Sequence, residues 1–364
     1  MPYAPSRHQP APSPLASALA ALALALALAL ALAPHQAAHA WGATGHTAVG
    51  DVAAQLIKGT RAEREVARIL GGVSLHDIAV WPDCVKGIDP AKDFRYTVTG
   101  RYPECAPFEN KPEEEALMRD YVKRNNDGCE PKPGEESCHK QYHYTNPALE
   151  RGRYQPGSVG TSDHDIVFAI EAARQRLAGG TVPGPFALQT EREALALLVH
   201  DLGDVHQPLH VGSVYLDEKG QRRDPDVQGD DPLARTVGGN ALAVMGATGP
   251  GGNLHAYWDN APGKLSPEQL AALPATARQV PAMAAHPAQW PALWASETMN
   301  EAEGAFAGLQ FGERQSSLRG SRWVVTLPAD YEARSQVLVR QQLARAGARL
   351  AQLLQAIWPE AAKP

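Results

Sequence analysis

The sequence lacks any Cys-x-x-Cys pair and has only four cysteines, Cys84, Cys105, Cys129 and Cys138. The missing pair argues against a four-cysteine zinc site, because such sites are usually built from closely spaced cysteines. An even number of cysteines in an exported chain indicates two disulfides instead. Three pairings are possible, and proximity along the sequence favours Cys84–Cys105 with Cys129–Cys138.

An excess of positive charge is missing too, since 34 Lys and Arg residues are outnumbered by 40 Asp and Glu residues. This balance argues against a broad basic surface of the kind that binds nucleic acid. It does not exclude an enzyme acting on nucleic acid whose positive charge comes from bound metal ions.

Long alternating runs of apolar and polar residues are also absent, which argues against a large β-sheet, whereas helical periodicity is frequent. A capping box beginning at Thr190 starts one predicted helix, and Ser266 followed by proline starts another. Apolar residues at helical spacing predict further helices at 45–56, 165–177 and 329–358. The sequence therefore predicts a mainly α fold in one domain.

The first 40 residues have the pattern of a secretion signal. Residues 15–33 are almost entirely Ala and Leu, Arg7 precedes them without any acid, and a small-x-small motif ends at Ala40. We expect this segment to be removed, which leaves a mature domain at 41–364 in a secreted or periplasmic protein. The alternative is a membrane anchor, because the apolar run is close to the length that spans a bilayer.

Two stretches, 85–142 and 212–253, are rich in Pro, Gly and charged residues, and the first holds three of the four cysteines. Both are predicted to be loops. Loops of this length are usually functional or disordered.

The densest group of chemically active side chains lies in the segment HDLGDVHQPLH, residues 200–210. His200 and Asp204 are four residues apart, so they share one face of a helix that is otherwise apolar. Imidazole and carboxylate groups pointing together from such a helix suit a divalent metal such as zinc. Pro208 ends the helix and lets His210 approach from a turn. The alternative is a set of hydrogen-bonded histidines without a metal.

The same spacing recurs at His255 and Asp259. Two such pairs in one exported chain favour metal binding over coincidence. Two further candidates, Asp83 in a Trp-Pro-Asp segment and His143, are individually weak signals. Taken alone, Asp83 would be interpreted as an acid in a turn and His143 as an ordinary histidine.

Together with the segment AHAWGATGH at 38–46, these residues resemble the S1/P1 nuclease family of secreted zinc enzymes, which is related to bacterial zinc phospholipase C. The resemblance covers nearly all of residues 41–364, with the motifs in family order. It implies that 41–364 is a catalytic domain with a single-domain, α-helical phospholipase C/P1 nuclease-like fold and long loops. It also implies three zinc ions per chain.

The resemblance assigns nine ligands to these ions. The first ion would be held by Asp83, His143, His200 and Asp204. The second would be held by Trp41, His46 and the bridging Asp204, and the third by His210, His255 and Asp259.

In this family the mature N-terminal tryptophan binds zinc through its amine and its carbonyl oxygen. Removal of the first 40 residues would give Trp41 a free α-amine, and His46 would bind the same ion. The five other histidines of the mature chain are interpreted as structural or surface residues. His206 is the best candidate among them for orienting a ligand.

The resemblance implies an endonuclease that cuts single-stranded DNA and RNA to 5′-phosphate products and has 3′-nucleotidase activity. Lys86 matches a basic family position that faces the phosphate; the alternative is a solvated loop lysine. Tyr144 matches a family position that carries an aromatic residue for base stacking; the alternative is a packing residue. Asn260 is a candidate for hydrogen bonding to a base edge. No stable protein partner is implied, and the chain is expected to be a monomer.

Two features depart from the fungal members of the family. Asn146 occupies a catalytic position, three residues after His143, where the fungal enzymes have an acid. An amide cannot act as a carboxylate that orients or deprotonates the attacking water. The stretch between Asp83 and His143 is also much longer here and brings its own cysteines.

Zinc-dependent phospholipase C is the nearest alternative, because its metal chemistry is nearly the same. That family typically spaces its N-terminal tryptophan further from its histidine and uses His-x₃-Glu at the last site. This chain has Trp41-x₄-His46 and Asp259, which favours a nuclease. A non-catalytic secreted zinc-binding protein is a further alternative, against which Lys86 argues.

Overall fold

The structure is a computed structural model that describes residues 41–127, 136–246, 252–317 and 320–361. Helices dominate these ranges, so the predicted mainly α fold is confirmed. The predicted signal peptide and Cys129 of the predicted Cys129–Cys138 disulfide lie outside the described residues.

The helices are α1 (Ala43–Leu56), α2 (Arg61–Leu70), α3 (Leu75–Ile78), α4 (Trp81–Val85), α5 (Pro112–Asp127), α6 (Cys138–Gln141), α7 (Ile166–Leu177), α8 (Glu191–Asp204), α9 (Pro208–Val211), α10 (Pro225–Gln228), α11 (Leu254–Asp259), α12 (Pro267–Ala277), α13 (Trp290–Phe306) and α14 (Tyr331–Ile357). The strands are β1 (Ile88–Asp89), β2 (Arg95–Tyr96), β3 (Tyr215–Leu216), β4 (Arg222–Arg223), β5 (Leu242–Val244), β6 (Gln310–Ser317) and β7 (Gly320–Thr326). In the described ranges, no helix combines the length and the apolar character needed to cross a membrane.

Helix α8 lies at the centre of the fold. Its start is fixed by the predicted capping box, in which Thr190 Oγ1 accepts from the Glu193 N–H and the Glu193 carboxylate accepts from the Thr190 N–H. Every residue from Glu193 to Asp204 is buried, and α1, α7 and α14 pack around the helix. A helix that is buried on all sides belongs to the core. The side chains predicted to bind metal on α8 are therefore held in the interior.

The C-terminal helix α14 crosses α1 at close range, because Gly347 has no side chain at the crossing. A Cβ at this position would lie 2.4 Å from Val52 Cγ1. The predicted C-terminal helix is thus present, and Leu350 and Leu354 of its apolar stripe are buried. Val337 also fits the apolar spacing by which the sequence predicts this helix, but it is 47% exposed and does not contribute to the core.

The prediction of a loop over 85–142 is wrong in part, because it contains the 16-residue helix α5. Three glutamates in the first turn and Arg124 near the end suit the helix dipole. Arg124 also joins α5 to the start of α8, with its Nη2 2.7 Å from Glu193 Oε1. The buried residues of α5 are Met118, Tyr121, Val122 and Asn125.

The predicted Cys84–Cys105 disulfide is confirmed. It links α4 to a 3₁₀ turn at Pro103–Cys105. The bond holds the first part of the 85–142 stretch beside α4, the helix that carries Asp83.

A small sheet with strand order β5–β7–β6 was not predicted. Strands β6 and β7 form an antiparallel hairpin, and β5 runs parallel to β7. Only Trp323 and Val325 alternate as buried residues along β7, so the period-two signal is short. In its described part, the predicted loop at 212–253 is interrupted only by the short elements β3, β4, α10 and β5 and by a 3₁₀ helix at Pro232–Ala234.

Candidate metal centre

Helix α8 and the turn that follows it bring three ligand-type side chains together. His200 and Asp204 lie on one face of α8, with His200 Nε2 3.2 Å from Asp204 Oδ2. Gln207 then caps α9 and Pro208 is its first residue. This turn places His210 Nδ1 3.8 Å from the same Asp204 oxygen. The arrangement expected from the sequence spacing is therefore present.

The first ligand group consists of Asp83, His143 and His200, whose candidate ligand atoms lie within 4.8 Å of one another. His143 Nδ1 is 2.9 Å from His200 Nε2 and 3.2 Å from Asp204 Oδ2. Asp83 Oδ1 lies 3.7 Å from His200 Nε2 and accepts a hydrogen bond from Lys86 Nζ at 2.7 Å. The structure thus brings together all four residues that the resemblance assigns to the first zinc ion.

The second ligand group consists of His46, His200 and Asp204. His46 comes from α1, with its Nε2 3.3 Å from Asp204 Oδ1, and its ring stacks on that of His200 with centroids 3.7 Å apart. Gly203 allows this approach, since a Cβ there would lie 2.8 Å from His46 Nδ1. Asp204 consequently presents Oδ1 to His46 and Oδ2 to His143 and His200.

The third ligand group consists of His210, His255 and Asp259. His255 Nε2 lies 3.6 Å from Asp259 Oδ2, and His210 Nε2 lies 3.8 Å from Asp259 Oδ1. The two rings stack with centroids 4.8 Å apart. Gln207 Nε2 donates to Asp259 Oδ1 at 2.8 Å and holds that carboxylate in place.

Three of the histidine rings are oriented by backbone carbonyls. The Nδ1–H groups of His200, His210 and His255 each donate a hydrogen bond of 2.7 Å to a carbonyl oxygen. The acceptors are, in that order, Ala79, His143 and Gly238. Histidines that bind metals commonly donate their other ring N–H in this way, which leaves Nε2 for the ion.

Trp41 is fully buried next to the second ligand group. A Cβ at Gly203 would lie 3.7 Å from Trp41 Cδ1 as well as 2.8 Å from His46 Nδ1, so both side chains cover the same glycine. The next residue, Gly42, donates its N–H to the backbone oxygen of Asp259 at 2.7 Å. The segment at Trp41 is thereby attached to the helix that carries part of the third group.

The burial and hydrogen bonding of the predicted ligands suit bound metal ions. None of the nine is more than 7% exposed. Buried polar atoms normally have hydrogen-bond partners. Within the described residues, however, partners are missing for both ring nitrogens of His46, Asp204 Oδ1, His210 Nε2 and Asp259 Oδ2. Imidazole nitrogens and carboxylate oxygens are donors that zinc accepts, so these residues fit a divalent cation.

Three of the predicted ligands have pKa shifts that suit the same ions. Burial, followed by the charge of His200, lowers the pKa of His46 to about 4. Burial, followed by His210, lowers the pKa of His255 to about 3. Burial alone would raise the pKa of Asp204, but the surrounding histidines hold it well below its usual range. Neutral imidazoles and an ionised carboxylate are the forms that bind a metal. His200 differs in the absence of a metal, because burial would lower its pKa but the charges of Asp204 and Asp83 raise it.

Lys86 is charged although its side chain is only 9% exposed. Burial would lower its pKa, but the carboxylates of Asp83 and Asp204 raise it above the usual value. Its ammonium group lies beside the first ligand group, which does not fit the alternative of a solvated loop lysine.

The other three predicted site residues lie around the centre at different depths. Tyr144 is half-buried, and its hydroxyl donates to Glu136 Oε2 at 3.4 Å. Asn146 is half-buried, with its Oδ1 3.3 Å from the position that a Cβ on Gly238 would take. Asn260 is exposed at the end of α11, where its side-chain amide donates to a backbone oxygen within the same helix.

Two residues of the candidate centre, Gln207 and Asp201, were not predicted from the sequence, and His206 was predicted to have a role that another residue fills. Gln207 orients Asp259, although His206 was the expected orienting residue. His206 instead forms hydrogen bonds away from the ligands: its Nδ1 lies 2.8 Å from the backbone oxygen of Leu202, and its Nε2 lies 2.9 Å from Nη1 of Arg349. Asp201 was also missed, although its carboxylate lies in the cluster. The signal that could have identified Asp201 is its charge, because it lies on a helix, α8, that has no polar face.

A comparison with known protein families identifies the family of this chain. The sequence model of the S1/P1 nuclease family matches residues 41–359, nearly the whole chain. The chain therefore belongs to the S1/P1 nuclease family. Membership makes it a hydrolase that acts on phosphodiester bonds, in a metal-dependent and typically secreted family. A comparison with curated proteins gives no match.

Proposed function

We propose that this protein is a secreted, monomeric zinc-dependent endonuclease that cuts single-stranded DNA and RNA to 5′-phosphate products and dephosphorylates 3′-nucleotides. The observation that carries the proposal is the convergence of three buried imidazole–carboxylate groups around Asp204, in a chain of the S1/P1 nuclease family. We propose that these three groups hold three zinc ions per chain.

The nine predicted ligands would be divided among the ions as the family resemblance implies. Asp83, His143, His200 and Asp204 would hold one ion, Trp41, His46 and Asp204 a second, and His210, His255 and Asp259 a third. Trp41 would contribute its α-amine and carbonyl oxygen after removal of residues 1–40. Zinc ions bound there would lower the pKa of a water, hold the phosphate and neutralise the leaving oxygen.

The chain's own residues would position and charge-balance the substrate. Water adds to phosphorus and the bond to the 3′ oxygen breaks, which leaves a 5′-phosphate and a 3′-hydroxyl. The ammonium of Lys86 would offset negative charge on the phosphate. Asn146 can hydrogen-bond the attacking water but cannot take its proton, and Tyr144 and Asn260 would contact a base.

Substrate choice tests this proposal directly. Zinc-loaded mature protein, with and without a chelator, is incubated with single-stranded DNA, RNA, a 3′-nucleotide and phosphatidylcholine. We expect cleavage of both nucleic acids, release of phosphate from the 3′-nucleotide, and 5′-phosphate ends identified by mass spectrometry. Hydrolysis of phosphatidylcholine with intact nucleic acids would replace the nuclease by a phospholipase C.

Replacement of Tyr144 by alanine should weaken substrate binding more than it slows cleavage. Stacking of a base on an aromatic ring contributes about 1–3 kcal/mol, so KM for a 3′-nucleotide should rise roughly 5- to 150-fold while kcat changes little. Tyr144→Phe is the matched control, because it keeps the ring and removes only the hydroxyl that contacts Glu136. Equal KM values for wild type and Tyr144→Ala would assign Tyr144 to packing.

A further inference from the structure

Asp201 is a buried acid that the proposed ligand set does not use. It follows His200 on α8 and is 0% exposed. Neither of its carboxylate oxygens has a hydrogen-bond partner within the described residues. Because α8 is buried on every side, this carboxylate cannot turn to water.

Two buried acids outside the ligand groups, Asp165 and Glu193, are well satisfied. Asp165 accepts hydrogen bonds from the hydroxyls of Thr145 and Tyr154 and from a backbone N–H. Glu193 pairs with Arg124. A buried carboxylate without such partners is costly, because it loses its hydration without a replacement. Asp201 therefore needs a positively charged partner that is not a hydrogen-bond donor of the described residues.

The position of Asp201 indicates that partner. Its candidate ligand atom lies within 4.8 Å of those of His143 and Asp204, and the three form a fourth buried group able to hold a metal ion. The nearby cation Lys86 is already engaged by Asp83 at 2.7 Å. A cation bound between His143 and Asp204 would neutralise Asp201 without any rearrangement of α8.

We propose that Asp201 is an additional carboxylate of the metal centre, acting on the divalent cation held at His143 and Asp204. This inference rests on the proposed zinc-dependent function. It adds one negative charge to the centre, so that four carboxylates, those of Asp83, Asp201, Asp204 and Asp259, share the bound ions.

The test measures zinc affinity rather than activity. Metal-free full-length mature protein, wild type or Asp201→Asn, is titrated with zinc in competition with a chromophoric chelator, and its Tm is recorded with and without zinc. Loss of a carboxylate at a metal site should weaken binding of one ion by about 10- to 100-fold. The Tm increase on zinc addition should shrink, whereas the Tm of the metal-free protein should not fall. Asp201→Ala should behave in the same way and provides a second variant.

The control is Gln342→Leu, which removes another fully buried side chain without hydrogen-bond partners, on α14 and outside the four ligand groups. Its zinc affinity should equal that of wild type. If Asp201→Asn and Asp201→Ala also bind zinc as wild type does, Asp201 does not belong to the centre. A wild-type protein that binds no zinc would instead contradict the proposed function itself.

Discussion

Protein made with an extra methionine before Trp41 should fold but lack the zinc ion of the His46 group. An α-amine has a pKa of roughly 7.7–8.0 and can lose its proton to a metal near neutral pH, whereas a peptide nitrogen is not available in this way. The nuclease rate should fall by orders of magnitude, because the attacking water would lose one of its activating ions. Elemental analysis and a nuclease assay on processed and Met-extended protein measure both effects.

The matched control is processed Trp41→Phe. It keeps the amine and the carbonyl, so its zinc content should be close to that of wild type. Since Trp41 is fully buried, the smaller ring should still lower the free energy of unfolding, by about 1–3 kcal/mol. Full zinc and full activity in the Met-extended protein would show that Trp41 is only a packing residue, and the amine would have to be removed from the ligand set.

Replacement of Asp204 by alanine should remove more than one zinc ion. Its Oδ1 faces His46 and its Oδ2 faces His143 and His200, so one side chain serves two ligand groups. Activity should fall on the order of 10³-fold or more, since two ions would lose their shared anchor. Zinc content by mass spectrometry under native conditions counts the ions that remain.

Asp259→Ala is the control for this experiment. Asp259 is buried to a similar degree but belongs to the third ligand group alone. It should lose at most one ion and leave the other two in place. If Asp204→Ala also lost a single ion, Asp204 would be a ligand of one group and the assignment as a bridge would be wrong.

The parts of the fold that could be predicted are those with strong local signals. The capping boxes at Thr190 and Ser266 start α8 and α12 in the structure, because satisfying the first backbone N–H groups is decided by a few neighbouring residues. The Cys84–Cys105 disulfide also joins residues close in sequence. The His200–Asp204 and His255–Asp259 pairs lie on helix faces as their spacing predicted.

The parts that could not be predicted depend on weak patterns or on distant contacts. Helix α5 was hidden by its polar composition, although Met118, Val122 and Asn125 repeat at helical spacing. The β6–β7 hairpin shows only two alternating buried residues. Asp201 was missed because it directly follows His200, and adjacent residues on a helix point in different directions. Only the tertiary structure shows that the Asp201 carboxylate also lies in the cluster.

The centre joins elements that lie far apart in the sequence, from His46 on α1 to Asp259 on α11. Bringing such segments together closes long loops, which costs conformational entropy and slows folding, whereas α8 and α14 can form from local contacts. We therefore expect the ligand groups to be completed late in folding. Metal ions that bind only the completed centre add their binding free energy to the stability of the folded state. The zinc supply in the compartment where this chain folds would then govern its yield and its lifetime against proteases, in addition to its activity.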